Sequence, residues 1–262
     1  MNDQPLHWSL RLAAAAALVF LMLPVAVVVF ASFSATAYLT IPPQGWTLHW
    51  FAEVLSDPTY LSAIAFSLEL AIAATVVAVL LAIPACYALH HRWVPFSEVL
   101  SGFVLSPLIF PAVVIGVALL QYMSALGLRG NFLMLVLAHV VIVTPYVVRT
   151  MLAGLSSLDP TLEEAARVLG ASRLSAFLLV VLPLMRMSLM AGFVFAFITS
   201  FDEASVTLFL LPPGQATLPV TIFSAIDLGV DPSIAAISTL LIVATIVLLA
   251  LVERLGGARR FV

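Results

Sequence analysis

Charge is scarce in this sequence. Only 9% of its 262 residues are charged, against about 25% in a soluble domain. Hydrophobic residues make up 63%, and mean hydropathy is +1.21. That balance excludes an ordinary soluble domain and indicates a polytopic membrane protein. Lysine is absent, all ten basic residues being arginine, and nothing functional follows from this. The single cysteine, Cys86, lies inside an apolar run. An intramolecular disulfide is therefore excluded, and the thiol is expected to pack as a small hydrophobe. No GxxxxGK[ST] phosphate loop occurs, which excludes ATP binding of that kind. No cluster has metal-ligand spacing and no nucleophile has an evident base, so neither a metal site nor a catalytic site is expected. A nucleic-acid partner is not expected either.

What is present is apolar length. A helix needs about 20 apolar residues to cross a hydrocarbon core of about 30 Å. Six stretches qualify, near Leu12–Ser34, Leu61–Leu89, Val99–Leu126, Phe132–Thr150, Met187–Leu211 and Ser233–Val252. Pro24, Pro84, Pro107, Pro111 and Pro145 fall inside them, where neighbouring helices can satisfy the freed backbone groups. The first stretch exceeds the 7–15 apolar residues of a signal peptide and is expected to be a retained span. Arginine placement orients the chain. With the N-terminus inside, Arg11, Arg92, Arg149, Arg167, Arg173, Arg186, Arg254, Arg259 and Arg260 are cytoplasmic, and only Arg129 is outside. The outer loops carry Glu53, Asp57, Asp227 and Asp231, a net −3 (four acids less Arg129). The expected fold is an all-α membrane protein with six transmembrane helices and both termini cytoplasmic.

The long inner connection, about Met151 to Arg186, has strong local signals. Asp159 suits an N-cap and Pro160 the first helical position. Glu163 and Glu164 stand near the positive end of the helix dipole, and either can pair with Arg167. Gly170 suits a left-handed C′ position. Ser172 can cap a second helix that runs to Leu182, where Pro183 interrupts it. The first helix, Pro160 to Leu169, is about 15 Å long. Leu162, Ala165, Ala166 and Leu169 share one face, whose two alanines permit close approach by another surface. An amphipathic helix lying on the membrane is the other reading. Such helices favour bulky apolar residues opposite a Lys/Arg face, whereas alanines and two glutamates stand here. The residues alone leave both open.

Glu164-Ala165-Ala166, three residues, Gly170, nine residues and Val180-x-Leu182-Pro183 resemble the EAA motif of type I ABC importer permeases, EAA-x3-G-x9-I-x-LP. Val180 in place of Ile is the one departure. The resemblance covers roughly Leu61 to Val252, the first span being the additional helix common in the family. It implies an N-terminal helix and periplasmic loop at 1–60, a permease core at 61–252 with its loop at about 154–183, and a cytoplasmic tail at 253–262. Glu163, Glu164, Ala165, Ala166, Arg167, Gly170, Leu182 and Pro183 would then form the coupling segment gripped by an ATPase. The partners implied are two ATP-binding subunits, a homologous permease subunit, a periplasmic solute-binding protein and membrane lipid. ATP and Mg would be bound by the partner ATPase and no cofactor by this chain, which would not itself be an enzyme. The location implied is the bacterial inner membrane.

The cargo is less legible. Ser200-Phe-Asp-Glu-Ala-Ser-Val-Thr-Leu-Phe, then Pro213-Gly and Thr217-Leu-Pro-Val-Thr-Ile-Phe-Ser, resemble the second permease of spermidine/putrescine importers. Permeases for other small nitrogenous solutes and aminoalkylphosphonates are also similar. An ionised carboxylate inside a span costs about 2.5–3.5 kcal/mol, so such acids usually face a polar pathway. Asp202, Glu203 and Glu69 are candidates to escort a cation, at about 12–14 Å below the outer surface. The alternatives are an interfacial Glu69, a helix-capping Asp202 and a Glu203 paired with a partner chain. Tyr38, Trp46, Trp50, Phe51 and Tyr60 are expected to be interface anchors. His90 and His91 are expected to be loop residues, and His139 a satisfied packing residue. A stand-alone secondary carrier would show repeated halves, and no internal repeat is visible; a membrane enzyme is the remaining reading from another class.

Overall fold

A chain in hydrocarbon has no water for its amides and carbonyls, so a spanning segment must bond its backbone to itself. The computed structural model, which describes residues 8–38, 42–229 and 231–256, follows that constraint. The described residues form thirteen α-helical segments and a single isolated β-bridge, Ser34 to Trp46. The helices are α1 (Trp8–Ala31), α2 (His49–Ser56), α3 (Pro58–His90), α4 (Ser97–Leu105), α5 (Ala112–Ala125), α6 (Phe132–Ser157) and α7 (Pro160–Val168). They continue with α8 (Arg173–Ala176), α9 (Leu182–Leu184), α10 (Arg186–Asp202), α11 (Ser205–Leu210), α12 (Leu218–Leu228) and α13 (Pro232–Gly256). A 3-10 turn, Ser106–Leu108, follows α4, and a π-helical segment, Phe177–Val181, joins α8 to α9.

Four helices, α1, α3, α6 and α13, are each long and apolar enough to cross a membrane, and two bent pairs bring the number to six if each pair is one span. The expected third span is broken inside its length, and a second break stands just ahead of the expected start of the fifth at Met187. The third bends by 101° between Ser97–Leu108 and Ala112–Ala125. Pro111 falls in that break and Pro107 in the 3-10 turn just before it, and each removes an amide donor from the helix. The second break bends the chain by 70° between Arg173–Leu184 and Arg186–Asp202. The fifth span then stops at Asp202, where Glu203 has extended backbone (φ −75°, ψ 107°), instead of running on to Leu211. The fourth span overruns its expected end at Thr150 by seven residues, to Ser157. Arg259 and Arg260, assigned to the tail, lie outside the described residues.

The chain divides into two compact units. The first comprises Met1–Leu61 and Ile222–Ile246. In it α1 is apolar on all sides and exposed almost throughout, the signature of a helix that meets lipid. The chain after α1 doubles back: Thr47 N donates to Phe33 O (2.9 Å), and the Trp50 indole donates to Ser34 O (2.8 Å). Phe33 packs on Trp46 and Phe51. These loop aromatics thus build a small hairpin.

The second unit, Ser62–Thr221 and Val247–Val262, holds the core that matters for function. Leu70, Ala74, Ala78, Ala82 and Cys86, spaced four apart on α3, are all fully buried, so one narrow stripe of small side chains faces inward. Cys86 packs as expected and donates weakly to Val148 O of α6. Along α6 runs α10, and at their crossing no side chain fits. A Cβ on Gly154 would collide with Ser188, and one on Gly192 would lie 2.5 Å from Thr150 Oγ1 and 3.3 Å from Val147 Cα. Small residues at a helix crossing give close backbone approach, the main source of packing energy where lipid supplies no hydrophobic drive. Gly192→Ala should therefore cost about 1–3 kcal/mol and lower the melting temperature in detergent. Gly102→Ala on α4, with open space around its Cβ, should not lower it.

Candidate functional site

The long connection from α6 to α10 opens with a short helix, α7, closed at both ends. Asp159 Oδ1 accepts hydrogen bonds from Thr161 N (3.0 Å) and Thr161 Oγ1 (2.8 Å), and Pro160 follows at the first helical position. These two bonds hold the Asp159 carboxyl below the usual carboxylate range. The cap is therefore complete at neutral pH and is lost as acid protonates it. At the far end Gly170 has φ +96°. Its N–H donates to Arg167 O, and that of Ala171 to Ala166 O, the paired bonds of a Schellman stop. Ser172 then caps α8 by accepting from Ser175 N. The Pro183 expectation is amended: helix continues through it to Leu184 and turns at Met185. Ahead of it the chain widens into a π turn, with Leu182 N–H reaching back five residues to Phe177 O. A π turn accommodates a residue that has no amide to give.

The side chains of α7 divide sharply. Val168 and Leu169 are 87% and 88% exposed, and Glu164, Ala165, Arg167 and Gly170 are exposed with them. Ala166 and Leu182 are half-buried and Pro183 is exposed. Glu163 points inward. Its Oε1 accepts from the Tyr87 hydroxyl at 2.5 Å, and its Oε2 lies 3.2 Å from His91 Nε2, close enough for an ion pair but out of line for a hydrogen bond. The expected pairing of Glu163 or Glu164 with Arg167 is not formed, because Glu163 is held by the end of α3 instead. Tyr87 packs on Phe177 (4.4 Å between ring centres), His91 stacks on Trp93 (5.3 Å), and the Arg173 guanidinium sits 5.3 Å over Trp93. A cavity of about 410 Å³, lined among others by His90, Leu158, Glu164, Arg167 and Leu184, separates part of α7 from the helices behind it.

The acidic pair of the fifth span occupies a gap between helices. Asp202 ends α10 and is exposed; Glu203 follows in extended backbone and is half-buried. Glu203 Oε1 accepts from Val206 N (2.9 Å), so its carboxylate caps the first turn of α11, and its carbonyl accepts from Thr207 Oγ1 (2.6 Å). His139 of α6, fully buried, spans the gap: Nδ1 meets Ser200 Oγ at 2.8 Å on one side, and Nε2 meets Thr207 Oγ1 at 3.0 Å on the other. Glu69 is exposed on α3 and makes no hydrogen bond or ion pair among the described residues. Two residues earlier, Ser67 Oγ accepts from Leu218 N (2.8 Å) and caps α12. Nothing local in the sequence marks Tyr87, His91 and Trp93 as partners of the loop; their only signal is an aromatic run at a helix end.

Residues 74–258 match the family described as the binding-protein-dependent transport system inner membrane component. The chain belongs to that family. Among its relatives, the putrescine transport system permease protein PotI of Escherichia coli (strain K12) is 34% identical over 230 residues, covering 85% of this chain and 82% of that protein. The spermidine/putrescine transport system permease protein PotC of the same strain is 30% identical over 232 residues, covering 87% and 86%. A chain of a bacterial ABC transporter involved in the import of the acidic polysaccharide alginate superposes with a TM-score of 0.73, at 18% identity, over 93% of this chain and 94% of its own length. This chain is thus an ABC importer permease in fold and a transport component of the inner membrane by family.

For this permease, the buried His139 bridge has a definite energetic consequence. His139→Leu would leave the Ser200 hydroxyl with no ring nitrogen, a loss of about 1–3 kcal/mol for a buried polar group. Thermal unfolding in detergent should show it. Thr150→Ala, whose hydroxyl only bonds back to its own helix, should show little change.

Proposed function

We propose that this chain is the membrane-spanning half of an ATP-driven importer that carries a polyamine, putrescine or spermidine, into the cytoplasm. A separate pair of ATP-binding subunits drives it, and it works beside a homologous permease subunit and a periplasmic solute-binding protein. The observation that carries this reading is α7. A nine-residue helix is too short to persist alone, yet here it is capped at both ends and presents Val168 and Leu169 almost wholly uncovered beside small alanines. A bare apolar knob on a rigid mount is what a gripping partner requires. The nine-to-one arginine asymmetry supports six spans with both termini cytoplasmic, and this places α7 on the side where ATP is available. The core at 61–252 carries the transport pathway, and the ATPase supplies ATP and Mg.

The cargo follows from the relatives and from charge. PotI and PotC are named for putrescine and spermidine/putrescine transport. Asp202 is exposed at a helix break and Glu69 is exposed within a span, where carboxylates are costly unless a polar pathway or a cation meets them. Glu203, occupied in capping α11, shapes the break more than it contacts cargo.

Two substitutions separate the two halves of this proposal. Ala165→Trp should block seating of the ATPase, and co-purification of the ATP-binding subunit from solubilised membranes should be lost. Asp202→Asn should leave that co-purification intact and reduce uptake of radiolabelled putrescine about tenfold, the loss of one charge-assisted contact. Undiminished uptake by the Asp202 variant would reject the carboxylate's role, and a co-purifying ATPase with no polyamine uptake would reject the cargo.

A further inference from the structure

Three of the attachments that hold the loop bear on α7 itself. Two are covalent, back to α6 through Leu158 and on to α10 through the π segment and α9. The third is a side-chain contact 76 residues apart in sequence, from Glu163 to Tyr87. The cavity behind α7 means that the helix is not packed flush against the bundle, so this contact acts as a strut across partly open space. It is a strong strut. A phenol donating to a carboxylate at 2.5 Å is a charge-assisted bond, and the Glu163 side chain is only 16% exposed, so water competes for it weakly. The α3 end that receives it is itself fastened to the second half of the loop, Tyr87 to Phe177 and Trp93 beneath Arg173. Glu163 and Arg167 stand four apart on α7 and could have paired. Instead Arg167, on the exposed surface, makes no ion pair among the described residues while Glu163 turns inward.

We propose that Glu163, through Tyr87 and His91, is a positioning residue that latches the coupling helix to the inner end of α3. A displacement of the loop by the ATPase is then delivered to the second span directly, as well as to the fourth and fifth. This rests on the permease reading above and adds a transmission path to it. Without the strut, α7 could swing toward the cavity and absorb part of the stroke. ATP would still be hydrolysed, but less of each cycle would reach the pathway.

The test is the number of solute molecules imported per ATP hydrolysed, in the complete transporter reconstituted in liposomes with its binding protein. Tyr87→Phe keeps the ring on Phe177 and removes only the hydroxyl. It should retain co-purification and the ATPase rate while imported putrescine per ATP falls about tenfold. Glu163→Ala should lower the same ratio, and Glu163→Gln, which keeps an acceptor oxygen, should recover part of it. The Tyr87→Phe/Glu163→Ala double variant should be no worse than the worse single, because both remove one contact. Additive losses overturn the latch. So does an unchanged ratio in all three single variants, or transport and ATPase activity falling in proportion, which marks a merely structural role. If the ATP-binding subunit fails to co-purify with the unaltered chain, the permease reading fails and the latch with it. If it co-purifies and the ratio holds, the latch alone is wrong.

Discussion

An amide or carbonyl in hydrocarbon has no water to turn to, and every break in a spanning helix must supply a replacement partner. The structure can be followed from break to break on that basis. Where α10 stops at Asp202, the Glu203 carboxylate takes the Val206 amide and His139 joins Ser200 to Thr207 across the gap. Where α12 starts at Leu218, Ser67 of α3 accepts its first amide. Before Pro183, the chain widens into a π turn. Polar side chains in this apolar chain are concentrated where the backbone is interrupted, and the interruptions are where a solute could meet something other than a methyl group.

The same economy of polar groups explains the α7 loop. Two helix caps, a glycine stop and a proline start make a short helix definite in position without a hydrophobic core of its own. Its apolar residues are then free to face outward, which an ordinary surface helix avoids. Alanines on this surface keep it shallow, so a partner can approach the backbone closely. Such a helix can push and be pulled without changing shape. The family membership makes the chain a transport component, and the capped geometry of α7 suits the partner proposed for it.

Much of this was legible in the sequence, for identifiable reasons. Membrane crossing is a matter of apolar length, and length is read directly, so the presence of several membrane-capable helices was plain, though not where each one bends or ends. The caps at Asp159 and Ser172 and the stop at Gly170 depend on residues within a few positions of one another, and each stands where the spacing placed it. The sharp bend at Ile109–Pro111 was not legible, and the interruption expected at Pro183 falls two residues later, at Met185. A proline inside a span can be absorbed or can break the helix, and neighbouring helices decide which. His139 was legible only as a packing residue, because nothing local shows that its two nitrogens meet different sides of a gap.

The sequence by itself determined that the chain carries several helices apolar enough to cross a membrane, and that one connection carries a capped, small-sided helix. Those properties come from composition and from short-range hydrogen bonding. Only the tertiary structure decided that Glu163 turns to Tyr87 and His91 rather than to Arg167, and that the acidic pair stands where α10 ends rather than in mid-helix. Both outcomes depend on side chains 60 or more residues apart being brought within 3 Å or so of each other. No periodicity along one segment encodes such a meeting; it exists only once the helices have packed.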